Sequence, residues 1–173
     1  MRFALFIGLV GIALVGCSSA DDFIDSLFGI KHNAVILARG GIDISSTPTI
    51  LTPVTHAQVV GKSSDVCVVL AGGIAAKDSE KEVQRILNGA KLRAEITMSD
   101  GSRHEFNCPG SGWALNGRIV PENEVAACLR QSCASQLLTI GATVSSVAIS
   151  STAPVHALGV YWDSTSAYDR ASN

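Results

Sequence analysis

The residues with most chemistry in this 173-residue chain are five cysteines, four histidines and two tryptophans. Thiolates and imidazoles at short spacing would make a metal site. No C-x-x-C pair occurs, and His32, His56, His104 and His156 are widely scattered. No metal is expected. Ser111, between Gly110 and Gly112, is the serine most like a nucleophile. A hydrolase elbow reads G-x-S-x-G between a strand and a helix; here the spacing is wrong and no helix plainly follows. Glu80 and Glu82, like Glu122 and Glu124, lie two apart, so on a helix they do not face each other. They read as first-turn acids favoured by the helix dipole. Gly40-Gly41 and Gly72-Gly73 lack the phosphate-loop pattern and read as strand-end turns. His104 and His156 read as half-exposed polar residues. Trp162 shares an apolar strand face with Val160 and reads as core. Trp113, in the stretch Pro109-Gly110-Ser111-Gly112-Trp113, is either a packed side chain or an aromatic anchor for a partner. No catalytic group and no cofactor is expected.

The chain opens MRFALFIGLVGIALVGCSSADD, with Arg2 as the only charge before Asp21. The apolar run is shorter than the roughly 20 residues a spanning helix needs. A charged start, an apolar stretch and a small-residue end describe an export signal. Leu14-Val15-Gly16-Cys17 resembles the lipobox of bacterial lipoproteins. The resemblance covers residues 1–17 alone. It implies cleavage before Cys17 and a lipid on its sulfur, and Ser18 in the next position implies the outer membrane. Two or more acyl chains anchor stably where one does not.

With Cys17 lipidated, Cys67, Cys108, Cys128 and Cys133 remain. An even number in an exported chain reads as two disulfides with three pairings open. Nearness in sequence favours Cys128–Cys133, leaving Cys67–Cys108. Without residues 1–16 the chain has 157 residues, which suits one domain. Charged residues make up 16% of the full chain and its formal charge is −2, so no basic patch offers itself to nucleic acid.

The elements that must hold these residues are mostly short strands. Residues 34–38, 42–44, 57–61 and 65–71 have strand character, and Val66 to Ala71 is apolar on both faces, hence central. Residues 45–53 contain two prolines and read as a loop or edge strand. Leu92, Ala94, Ile96 and Met98 alternate with polar residues, and Asp100-Gly101 turns the chain back. Asn116-Gly117 offers a second turn. Ser79 to Asn88 has capping-box spacing and a helical apolar stripe. Residues 122–132 fit either helix or strand, with Pro121 and its neighbouring acids favouring helix. Residues 144–149 and 154–162 are β-rich.

Together these patterns predict a mainly β fold, a small β-sandwich or barrel-like domain carrying one or two short helices. The expected organisation is a signal peptide over 1–16, a lipid-anchored tether over 17–33, the β-domain over 34–165 and a polar tail over 166–173. The expected function is a non-catalytic outer-membrane lipoprotein, joined to the membrane by lipid on Cys17. Its periplasmic domain would bind a protein partner through Trp113 and residues 45–53, in an immunity-type or envelope-assembly role. A small hydrolase or carbohydrate-binding module is the alternative.

Overall fold

Strict alternation of apolar and polar side chains needs two layers, because each strand has one oily face to hide. A computed structural model describes residues 30–71, 88–108, 113–115, 124–134 and 136–166, and there the alternation is resolved into two packed antiparallel sheets. The strands are β1 (His32–Ile44), β2 (Thr49–Leu51), β3 (Ala57–Gln58), β4 (Ser63–Ala71), β5 (Arg93–Met98), β6 (Arg103–Phe106), β7 (Trp113–Leu115), β8 (Glu124–Arg130), β9 (Thr143–Ser150) and β10 (Val155–Thr165). Sheet A runs β1-β10-β4-β8-β7 and sheet B runs β2-β9-β5-β6, with β3 also on β9. This is the β-sandwich predicted from the sequence.

The core lies between the sheets. Trp162, Phe106, Ile44, Leu92, Ile96, Leu129 and Ile149 are its largest fully buried side chains. Trp162 also satisfies its indole N–H, which donates to the Gln58 carbonyl at 3.2 Å. Burying these residues supplies most of the drive to fold, at about 1.5–3 kcal/mol for each large apolar side chain.

The β5–β6 hairpin forms as its sequence dictates. Ala94, Ile96 and Met98 point inward and Arg93 and Glu95 outward. Gly101 takes φ +84°, a left-handed conformation that an L side chain resists. The Asp100 carboxylate accepts the Ser102 hydroxyl at 2.6 Å and its backbone N–H at 2.8 Å. Those two bonds hold the Asp100 pKa below the usual carboxylate value, the hydroxyl contributing most.

Four expectations change. Gly40-Gly41 does not end a strand. Both glycines have positive φ, and β1 continues through them with register shifts beside β10 at Ile36/Ala38 and Arg39/Ile42. The glycines permit the second of these bulges, between Arg39 and Ile42, within one long edge strand. That strand starts at His32, two residues ahead of the expected tether boundary.

Residues 124–130 form strand β8, not a helix, followed by a 3-10 turn over Gln131–Cys133. The reason is tertiary: Ala127 and Leu129 face the core while Ala126 and Cys128 face the other side, so both faces of the segment are buried. A one-sided amphipathic helix could not do that, and the ladder with β4 supplies the backbone partners.

The third and fourth concern the disulfides, which join Cys67 to Cys128 and Cys108 to Cys133. Cys67 lies directly opposite Cys128 in the β4–β8 register. The chain then turns away, and Cys133 reaches Cys108, just past β6 in the other sheet. Strand register overrides nearness in sequence. One bridge staples neighbours within sheet A; the other ties sheet A to sheet B.

The expected helix over 79–88 lies outside the described residues except at its end, where residues 88–90 are helical. The Asn116-Gly117 turn, the lipobox and Ser111 also lie outside them.

Candidate functional site

Sheet B and sheet A differ on their outer faces. Sheet B turns Arg93, Glu95, Arg103 and Glu105 to solvent. Sheet A has a second buried apolar cluster there, made of Cys67, Val69, Ala126, Cys128 and Tyr161, with Leu158 packed against it. A central strand buried on both faces must read as a continuous apolar run, and β4 does so over Val66–Leu70.

At one end of that face the apolar run gives way to charge. Asp163 of β10 lies directly opposite Asp65 of β4, and Asp65 lies opposite Arg130 of β8. Residues facing each other in such a ladder have Cβ atoms about 5 Å apart, and like charges there repel. From β1, His32 Nε2 stands 2.7 Å from Asp163 Oδ1. Four strands thus contribute one row of titratable groups: His32, Asp163, Asp65 and Arg130.

Burial pushes the Asp65 carboxyl up to about 6, and the charge of Asp163 adds to the effect; Arg130 and the Gln131 backbone N–H act the other way. Tyr161 sits two residues before Asp163 on the same face. Its phenol is raised well above its usual value, first by burial and then by Asp163 and Asp65. The Tyr161 residue is 5% exposed, and among the described residues its hydroxyl has no hydrogen-bond partner. Buried hydroxyls are normally paired.

Beside Tyr161 opens a cavity of about 440 Å³, within the range of small-molecule sites. Its side-chain walls include Ala34, Ile36 and Arg39 of β1, Val69 of β4, and Leu158 and Tyr161 of β10. The β1 bulge borders this cavity, with Ala38, Arg39 and Gly40 all on the wall. Chemically, the arrangement offers two facing carboxylates, one of which changes charge near pH 6, with an idle phenol and an aliphatic groove alongside.

The residues predicted from sequence are placed differently. Trp113 opens β7 opposite Leu129, and its side chain lies outside the described residues. His156 is exposed and pairs with Asp43 at 2.7 Å, and Asp43 is itself solvated. His104 lies on the hairpin arm, 3.4 Å from the Ser102 hydroxyl. Among the described residues no three His, Cys, Asp or Glu side chains gather closely enough to hold a metal ion. Residues 45–53 include the short strand β2, where Ile50 is 73% exposed; Val54, just beyond, is 67% exposed. The Val54 N–H donates to the Ile36 carbonyl at 3.2 Å, fixing that loop on the β1 edge.

Sequence reading missed Asp65, Asp163, Tyr161 and His32. The available signal was a charged residue inside each of two apolar strands, Ser64-Asp65-Val66 and Trp162-Asp163-Ser164. Only the β4–β10 register reveals that the two meet. Comparison with protein-family models, curated proteins and solved structures gives no match.

Proposed function

We propose that this chain is an outer-membrane lipoprotein, anchored through lipid on Cys17, whose β-sandwich binds a protein partner in the periplasm without catalysing a reaction. An immunity-type or envelope-assembly role fits that description. The observation that carries it is the exposed apolar pair Ile50 and Val54, the first on β2 and the second on the segment just after it, which is pinned to β1. Exposed aliphatic side chains on a rigid frame suit a partner surface, because little ordering entropy is lost on binding. Two disulfides support the oxidising address.

The test is affinity capture from envelope extract with the wild-type domain and with an Ile50→Asp/Val54→Asp variant. One stoichiometric protein, lost with the variant, supports the reading. Capture of none, alongside turnover of an ester or glycan substrate, overturns it in favour of a small hydrolase. The address is tested separately: Cys17→Ser should release the protein from the outer-membrane fraction, and its retention there would refute lipid anchoring.

A further inference from the structure

We propose that the outer face of sheet A holds a binding site for an alkylammonium group. The aliphatic groove takes the chain, and Asp65, Asp163 and the Tyr161 hydroxyl receive the ammonium. This site is distinct from the Ile50–Val54 loop and does not depend on the lipid anchor.

Four observations converge. Tyr161 links the two halves of the site: it lines the cavity, and it feels the charge of both carboxylates. Its buried hydroxyl has no hydrogen-bond partner among the described residues, so it offers an oxygen to a ligand group. The next pair along that face, two residues on from Tyr161 on β10 and two before Cys67 on β4, is Asp163 opposite Asp65, carboxylates that attract a cationic N–H donor and repel an anion. His32 of β1 engages Asp163 and Arg130 of β8 faces Asp65, so the pair remains partly offset without a ligand.

The rest of the site narrows the class. The described residues provide no three-ligand metal cluster, whereas an ammonium carries three N–H donors that carboxylates and a phenol oxygen can share. The walls at Ala34, Ile36, Val69 and Leu158 are aliphatic and suit a methylene chain. Arg39, an exposed cation on the same wall, disfavours a second positive charge at the far end. The fitting ligand is therefore a monoamine whose distal end is neutral or anionic. A lysyl side chain and a free ω-amino acid share that chemistry.

The test is calorimetric titration of the full chain at neutral pH with hexylamine, 1-hexanol and hexanoate. Hexylamine should bind about tenfold more tightly than either other probe, the margin of a charge-assisted hydrogen bond. Tyr161→Phe, which keeps the ring, should weaken hexylamine about fivefold, and Asp65→Asn about tenfold. Equal binding of hexylamine and hexanol would overturn the proposal, as would absence of heat at millimolar amine. Hexylamine affinity unchanged in both variants would do the same; their circular dichroism spectra verify folding. 6-Aminohexanoate and Nα-acetyl-lysine methylamide then distinguish the sources: the free amino acid binds more tightly if the natural ligand is a small molecule, the lysyl derivative if it is a side chain.

Discussion

Asp65→Asn should make this protein more stable at neutral pH and leave it nearly unchanged in acid. Asp65 is raised from 3.8 to about 6 in the folded chain, chiefly by burial. The folded state therefore binds that proton more tightly than the unfolded state does. The cost of the charged form is complete above about pH 6 and is relieved as pH falls through 6 towards the unfolded value near 4. A gap of about two pH units between the states corresponds to about 3 kcal/mol. Partial exposure of the carboxyl reduces this to about 1–2 kcal/mol. Asparagine retains an oxygen for the Gln131 N–H, so the favourable bond survives. For a domain of this size the gain is a rise in Tm of about 3–8 °C. The assay is thermal unfolding by circular dichroism of the oxidised protein at pH 7.5 and pH 4. A lower Tm for the variant at pH 7.5, or the same increment at both pH values, would refute the account of the carboxylate row.

Peptide mapping without reduction should recover Cys67 with Cys128 and Cys108 with Cys133; recovery of a Cys67–Cys108 peptide would contradict the register. Replacing Cys67 and Cys128 together by alanine should cost up to about 4 kcal/mol in urea unfolding, against about 3.5 for Cys108 with Cys133, because the first pair closes the longer loop. Gly61→Ala should destabilise by about 1–3 kcal/mol in the same assay, since the new methyl collides with the Thr165 carbonyl and Ser166 backbone. Ile50→Asp/Val54→Asp should shift the urea midpoint by less than about 0.5 kcal/mol equivalent, both positions being exposed. A large loss there would mean that the pair packs against the domain.

Local patterns were legible where strand alternation, turn residues or an unbroken apolar run mark an element by themselves. The β5–β6 hairpin announces itself through alternation and Asp100-Gly101, and Val66–Leu70 announces a central strand through its lack of polar residues. Residues 124–130 were not legible, because alanine-rich apolar sequence suits a helix until a neighbouring strand demands a partner. The candidate site was hidden for a related reason. Asp65 and Asp163 are 98 residues apart, and nothing local to either indicates the other. Their juxtaposition follows from β10 crossing back beside β4, a long-range pairing that no short window contains.

The cross-links also constrain how the chain can be made. In sequence order the cysteines join first to third and second to fourth, so the two covalent loops interleave. An oxidant acting on cysteines in the order they emerge would join Cys67 to Cys108, and that bond excludes both native ones. Correct oxidation must wait until β8 has docked on β4, or proceed by thiol–disulfide exchange from the earlier pairing. The maturation of this sandwich is thereby coupled to the synthesis of its last third, and its yield should depend on a disulfide-shuffling activity in the compartment where it folds.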